Sequence, residues 1–466
     1  MAKLHGFSKK QTLDIYRKMF TSRRLDEKML VLLKQGKSFF HIGASGHEAA
    51  QLAAASLMRP NQDWSFPYYR DGAYCLGLGM TPKEQLLSFL ARADDPNSGG
   101  RQMPQHYGHK ELKIVSQSSP TGTQFLQAVG CALARKMDNS NDVVYVSSGE
   151  GTTSQGDFHE AVNWASNAKA NVIFHIQDNE FAISTHRSDQ TADTIYAMTA
   201  GYKNLARYNV NGSDFFETSL AFKEAIQRAK RGKGPSIVIS NVVRLLPHSS
   251  SDDQRKYRLE KALEEDKKKD PLVVLEKECI EANFISHEEF EEIRSEVISQ
   301  IDKDAEWAEK QKHPDPETAL NHIYSTSPFP QEKDYTSISD KIVMVDAINH
   351  ALSEEMKLND KMVIYGQDIA DPKGGVFTAT KGLTDKFSTK RVFNSPLAES
   401  SIIGTAVGMA VAGFKPVVEI QFGDYIWTSM MQIRNEVVMM RYRSNNAWTC
   451  PMVIRVPVGG YIHGAL

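Results

Sequence analysis

The sequence predicts an α/β protein made of two doubly wound parallel-sheet domains joined by a linker. Three observations predict it. Short β-branched runs alternate with helical stretches in both halves of the chain, which is the strand, helix, strand order of a parallel sheet with right-handed crossovers. Glycine-rich turns follow strand ends. A stretch rich in Pro, Ser and charge, without periodicity, separates the halves, as linkers do. At roughly 150 residues per domain, 466 residues also leave room for about three domains.

The elements follow in order. Residues 8–58 read as helices, because Leu13, Tyr16, Met19, Phe20, Leu25, Met29 and Leu32 recur at three- and four-residue steps. Strands are expected at 143–146, 171–176 and 236–240, with a helix over 158–168. From Asp252 to Lys312 the chain is charged and helical, and its Glu264 to Lys269 run reads as a solvated helix face. After the linker, helices are expected over 344–356 and 402–412 and strands at 362–365, 417–420 and 452–456. The stretch from Tyr425 to Tyr442 reads as one long helix. The boundaries are 1–325 for the first region, 326–340 for the linker and 341–466 for the second.

Composition excludes several classes. Hydrophobic residues at 41% and charged residues at 24% describe a globular chain, not a disordered or collagenous one. A formal charge of -2 with no polybasic tail gives no footprint for nucleic acid or an anionic membrane. No apolar run reaches the ~18 residues of a membrane span, and the N-terminus lacks the apolar core of a secretory signal. Cys75, Cys131, Cys279 and Cys450 form no C-x-x-C pair, which disfavours a zinc knuckle or a disulfide framework. A reducing cytoplasm is the expected location.

The sharpest local signal is Gly149-Glu150-Gly151 at a strand end, followed by Asn179 at the end of the next strand. Neighbouring strand ends of an open α/β sheet meet at one site. Both side chains are hard oxygen donors, and Mg²⁺ takes one or two of these together with phosphate oxygens and water. The flanking glycines let backbone amides approach phosphates. Taken alone, a glycine-rich turn with a solvated Glu explains the triplet as well.

The surrounding residues carry a family resemblance. The segment Gly149 to Glu160, then Gln177-Asp178-Asn179-Glu180-Phe181-Ala182-Ile183-Ser184-Thr185, resembles the thiamine-diphosphate motif of 2-oxo acid dehydrogenase E1 α subunits. The resemblance implies Mg²⁺ held by Glu150, Asn179 and the Phe181 carbonyl, with Gly149, Gly151 and Thr152 at the cofactor. Two positions depart from the family pattern. Asp178 replaces the first Asn of its N-N pair, and Gln177 replaces a common Arg, removing a phosphate-facing charge. Tyr68-Tyr69-Arg70-Asp71 resembles the family's Y-R-E/D motif, in which Tyr69 and Arg70 reach the diphosphate; Arg suits this because its fork pairs bidentately with phosphate. Ser118 to Gln124 resembles an S-S-P-L-A-T-Q turn. Through it, Ser119 and Thr121 are implied at the cofactor, and Ser118, Pro120, Thr123 and Gln124 at a K⁺ ion found in some members; a plain turn and helix cap also explains the segment. Leu246 to Arg258, containing His248-Ser249-Ser250-Ser251-Asp252-Asp253, resembles the active-site loop of branched-chain E1 α subunits, whose His lies over the cofactor and whose serines are phosphorylated in animal relatives.

The second region is similar to the family's β subunit, normally a separate chain. Arg391 to Ser400 resembles R-V-F-N-T-P-L-A-E-Q, so that Glu399 matches the Glu bonded to N1′ of the cofactor's aminopyrimidine. Without the resemblance, Glu399 also reads as an acidic residue complementing a helix N-terminus. Gln421 to Trp427 resembles Q-F-A-D-Y-I-F, which places Phe422 and Tyr425 at the pyrimidine pocket. The resemblance implies two transketolase-like, thiamine-diphosphate-binding domains fused in one chain, with Glu399 and His248 catalytic. It further implies oxidative decarboxylation of a 2-oxo acid and acyl transfer to a lipoyl-bearing E2 acyltransferase partner.

A homo-oligomer, in which Glu150 meets Glu399 of a second chain, is the expected assembly. The loop and the G-E-G triplet favour a branched-chain over a pyruvate substrate. An ordinary NAD dehydrogenase lacks its G-x-G-x-x-G here; a catalytically silent relative and a transketolase-like sugar enzyme fit the motifs less well. The family's β region continues beyond the Gly459-Gly460-Tyr461 loop, so a truncated β region that assembles poorly is also expected.

Overall fold

The computed structural model describes residues 3–326 and 340–459. The expected linker, 326–340, lies outside them except at its two ends, as do the residues from Gly460 onward.

A short antiparallel hairpin of β1 (Lys3–Leu4) and β2 (Phe7–Ser8) leads into a helix over Lys9–Lys34. Ser8 opens that helix with a capping box closed by Gln11. The expected helical stretch to residue 58 is broken, and a second helix covers only Glu48–Ala55. The break has a local cause. Gly46 takes a φ of +100°, and a Cβ there would lie 2.0 Å from the Val243 carbonyl oxygen. The loop therefore lies directly on the chain leaving a central strand, beside the candidate site.

The first sheet contains β3 (Trp64–Phe66), β4 (Val144–Gly149), β5 (Val172–Asp178), β6 (Ala206–Asn211) and β7 (Ser236–Asn241). Their spatial order is β3-β4-β5-β7-β6 and every pair is parallel. The inner strands β4, β5 and β7 are the expected ones. The edge strands β3 and β6 were not expected, because β3 has three residues and β6 is half-exposed, so neither shows the continuous apolar run of a strand buried on both faces. The charged region forms helices Glu260–Lys268, Pro271–Glu281 and His287–Glu309. On the first, exposed Lys267 and Lys268 pair with Glu264 and Glu265, as a solvated face does.

The second sheet, β8 (Met362–Gly366), β9 (Val392–Asn394), β10 (Lys415–Glu419) and β11 (Val453–Arg455), is also parallel, in the order β11-β10-β8-β9. Of these, β9 was not expected. The long helix expected from Tyr425 to Tyr442 is replaced by a 3₁₀ segment over Gly423–Ser429, one α-turn, a π-turn over Ile433–Val437 and a last turn over Met440–Arg443. The π-turn admits an extra residue into the helical ladder. Of its polar side chains, Glu436 faces the first domain.

Two helices join the domains. Thr123–Met137 and Glu399–Val411 cross so closely that a Cβ on Gly130 would meet the Thr405 carbonyl oxygen at 1.9 Å, and one on Gly408 the Gln127 carbonyl oxygen at 1.8 Å. Phe125, Leu126 and Val129 from one side and Ile402, Ile403 and Val407 from the other share one buried cluster. At its edges Trp164 meets Tyr365 and Trp64 meets Trp448, with ring centres 5.9 and 6.0 Å apart. Among the described residues no helix is long and apolar enough to cross a membrane.

Candidate active site

The parallel register sets Gly149 of β4 beside Gln177 of β5, so the turns that follow leave the sheet side by side. Glu150 opens one turn. Its Oε2 accepts from the Asn179 backbone N–H at 3.3 Å, while its buried Oε1 has no partner. Glu180 takes a φ of +70°, unusual for a residue with a side chain, and turns the chain so that the Phe181 N–H donates to Asn179 Oδ1 at 3.3 Å. Burial, reinforced by the neighbouring Asp178 charge, pushes the Glu150 carboxyl up to about 8. A buried carboxylate with a free oxygen beside a second oxygen donor is a place for a cation.

These groups line a cavity of about 310 Å³ together with Tyr69, Arg70, Ser119, Thr121, Gly149, Gly151, Thr152, Phe181 and His248. Tyr68, Ala182 and Ile183, to which the motifs gave no place at the cofactor, complete its wall. Arg70 is buried; it donates to the Gly43 carbonyl at 2.6 Å and to the His248 carbonyl at 3.2 Å. Burial, then the nearby Arg70 and Arg244 charges, hold His248 down to about 4, so its ring is neutral at pH 7.

The His248 loop is held by a chain of hydrogen bonds. The His248 N–H donates to Asp252 Oδ2 at 2.8 Å, as does the Tyr257 hydroxyl at 2.5 Å. Arg244 donates to that hydroxyl at 2.8 Å and to the Ala182 and Ile183 carbonyls at 2.8 and 3.0 Å. Arg244 thereby ties the loop to the turn after β5. Sequence reasoning gave it no role, and its one signal was a cation just beyond a strand end.

Gln177, expected as a lost phosphate-facing contact, does not line the cavity and is fully buried. Its Nε2 donates to Asp71 Oδ1 at 2.6 Å, and its Oε1 takes the His47 ring nitrogen at 2.8 Å and Gln51 Nε2 at 2.9 Å. An amide suits this enclosed network because it donates to Asp71 and accepts from His47 and Gln51 at once, whereas a cation could not accept. The second departure is compensated: Asp178 pairs with Arg187 at 2.6 Å, which brings a cation beside Glu150.

Ser118, Thr123 and Gln124 lie apart from the cavity, at a tight junction with Glu436 of the second domain. Thr123 Oγ1 also reaches the Pro120 carbonyl at 3.4 Å. In the second domain, Glu399 begins its helix and is half-buried. Its carboxylate accepts from Gln367 Nε2 at 3.2 Å and Thr428 Oγ1 at 3.1 Å. Phe422 and Tyr425 form an edge-to-face pair 5.2 Å apart at the start of the 3₁₀ segment whose Thr428 bonds Glu399. Among the described residues, none that lines the cavity comes from the second domain, so Glu150 and Glu399 of one chain do not share it.

Family comparisons match the two regions separately. The dehydrogenase E1 component model matches residues 16–317, and the pyrimidine-binding domain model of transketolase matches 340–465. The chain belongs to the dehydrogenase E1 component family and carries α-type and β-type regions together; these families imply dependence on thiamine diphosphate. Its relatives make the class more particular. The chain is 40% identical over 321 residues to the 2-oxoisovalerate dehydrogenase subunit alpha of Bacillus subtilis, covering 69% of this chain and 97% of that one. It is 32% identical to the human mitochondrial 2-oxoisovalerate dehydrogenase subunit alpha, over 71% of this chain and 74% of that one. It is 33% identical to a Staphylococcus aureus pyruvate dehydrogenase E1 component subunit alpha, over 65% and 80%.

Proposed function

We propose that this chain is a branched-chain E1 component, divided as 1–325, 326–340 and 341–466, that decarboxylates a 2-oxo acid of the 2-oxoisovalerate type and passes the acyl group to a lipoyl-bearing E2 partner. The observation that carries the reading is the buried, unpaired Oε1 of Glu150 in a cavity that also holds Asn179, Tyr69 and Arg70. That donor set fits Mg²⁺ and a diphosphate: Glu150, Asn179 and the Phe181 carbonyl hold the metal, while Arg70, Tyr69 and the amides around Gly149 and Gly151 face the phosphates. Thiamine diphosphate, when bound, supplies the electron sink that lets CO₂ leave a 2-oxo acid.

The chain's own residues position and move protons. Glu399 holds a proton at N1′ of the aminopyrimidine, with its carboxylate aimed by Gln367 and Thr428. Neutral His248 accepts a hydrogen bond from substrate or orients it. A K⁺ ion on this turn would be held by hydroxyl and carbonyl oxygens of Ser118, Pro120, Thr123 and Gln124, two of which already donate to Glu436. Glu399, Phe422 and Tyr425 serve the cavity of a second copy in a homodimer. What supports this is that they lie off their own chain's cavity among exposed apolar side chains, Leu397 at 84% and Trp427 at 71%.

Pyruvate is the second reading, favoured by the Staphylococcus relative. Turnover of 2-oxoisovalerate against pyruvate, followed with an artificial electron acceptor, separates the two; faster turnover of pyruvate overturns the branched-chain assignment. Glu399→Ala is expected to lower decarboxylation by about 10³-fold with cofactor binding retained. Full turnover by that variant removes the role given to Glu399.

A further inference from the structure

We infer that Glu436, a second-domain residue outside the cavity, is the positioning residue for the turn that presents Ser119 and Thr121 to the cofactor. The inference rests on the proposed cofactor site and adds to it a residue that touches neither cofactor nor substrate.

The backbone gives the first indication. Glu436 lies in the π-turn Ile433–Val437, where the helical ladder takes an extra residue. Such turns are uncommon and frequent at functional sites, and the extra residue redirects the side chains that follow it. Here the aim is into the first domain. Glu436 is completely buried, yet its carboxylate is fully engaged. Oε1 accepts from Thr123 Oγ1 at 2.8 Å and from Ser118 Oγ, and Oε2 accepts from Arg443 Nη2 at 2.6 Å. Arg443 in turn donates to the Ser116 carbonyl at 2.8 Å and to the Asn435 carbonyl at 2.7 Å.

The geometry follows from these bonds. Ser118 and Thr123 bracket the turn, and a single carboxylate oxygen holds both ends. Between them lie Ser119 and Thr121, which line the cavity. Inside the bracket, Ser119 Oγ is fixed by His106 Nε2 at 2.6 Å. Gln432, one turn before Glu436, donates to the Thr123 carbonyl at 3.1 Å and to Asp157 at 2.8 Å, gripping the helix that follows the Glu150 turn. Docking of the second domain on its own first domain therefore shapes the cofactor face of that first domain. This is a different task from the one proposed for Glu399, which serves a second copy.

A carboxylate that merely fills the junction would behave otherwise. Removing one member of a buried, hydrogen-bonded pair leaves the remaining groups unsatisfied, so Glu436→Ala frees both hydroxyls and Arg443 at once. Glu436→Gln keeps an oxygen for the hydroxyls. Binding of thiamine diphosphate with MgCl₂ to the full chain, measured by calorimetry, is expected to weaken about tenfold in Glu436→Ala and less in Glu436→Gln. Thr123→Val is expected to weaken binding alone but to add little on top of Glu436→Ala, because the hydroxyl's acceptor is already gone.

A second readout needs no cofactor. Amide hydrogen exchange over residues 116–124 is expected to quicken in Glu436→Ala and to stay near native in Glu436→Gln. Native affinity with native exchange in Glu436→Ala overturns the inference, as does full multiplication of the two effects in the double variant. If Glu436→Ala does not fold, Thr123→Val decides the question alone: native exchange over 116–124 together with native cofactor affinity in that variant overturns the inference. A wild-type chain that binds no cofactor removes the proposed function, while the exchange comparison still decides the role of Glu436.

Discussion

Glu150 and Glu399 both sit at the start of a helical turn next to a strand end of a parallel sheet, yet their surroundings differ sharply. Glu150 is 2% exposed, keeps one oxygen without a partner and is pushed up to about 8 by burial. Glu399 is half-buried, has both oxygens bonded, and stands near Leu397 and Trp427, which are 84% and 71% exposed. The first arrangement is poised for a cation, since an added positive charge relieves a buried carboxylate. The second is already satisfied and lacks only a covering surface. The two-domain site proposed above would thus place its electrostatic demand on the sealed side and its hydrophobic demand on the open side.

Breaking the sealed side has the largest expected effect. Glu150→Ala removes the free carboxylate oxygen, and Mg²⁺-dependent binding of thiamine diphosphate should disappear in calorimetry, while binding that survives contradicts the metal assignment. The protonation of Glu150 sharpens the same point. Its native value lies above the ordinary 4.5, so between 4.5 and about 8 the folded, cofactor-free chain holds a proton that the unfolded chain has lost. Stability from this group is therefore full below 4.5 and falls as pH rises through about 8. Metal binding at pH 7 should expel about one proton; titrations in buffers of different ionisation heat count it, and Glu150→Gln should expel none. His248 acts with the opposite sign. Its native value of about 4 lies below the ordinary 6.5, so the unfolded chain binds the extra proton and stability from this group rises with pH from about 4 to 6.5.

On the open side, Trp427→Ser exposes less apolar surface and should weaken self-association of the full chain about tenfold, read by sedimentation. An unchanged association constant separates this face from the assembly. The smaller size of the effect reflects the comparison itself, because one aromatic in a broad surface is more replaceable than an unpaired carboxylate in a cavity.

What the sequence made legible follows the same division. Glu150, Asn179, Tyr69, Arg70 and His248 were readable because chemistry-bearing residues at strand ends cluster in short motifs, and the register then brings them together. Their supports were not. Gln177 looks like a lost phosphate contact until its burial with His47, Gln51 and Asp71 is seen, and those partners lie up to 130 positions away. Glu436 was hidden for another reason. The apolar residues from Tyr425 to Tyr442 suggest an unbroken helix, and a one-residue shift in backbone pairing at Ile433–Val437 leaves almost no trace in that pattern while redirecting a side chain. Edge strands β3, β6 and β9 escaped because exposure and shortness erase the apolar run that marked β4, β5 and β7.

The smallest expected effect tests how the loop above the sealed side is held. Tyr257→Phe deletes the hydroxyl that links Arg244 to Asp252, but Asp252 Oδ2 keeps the His248 N–H at 2.8 Å and Arg244 keeps both carbonyls of the turn after β5. Two anchors therefore survive, and the loss amounts to the hydrogen bonds of one hydroxyl. Turnover is expected to fall about threefold to tenfold, with the affinity for thiamine diphosphate unchanged because Tyr257 does not line the cavity. Steady-state rates beside calorimetry give both numbers. A drop in cofactor affinity as large as the drop in turnover would mean that the loop shapes the diphosphate end of the cavity as well as the position of His248.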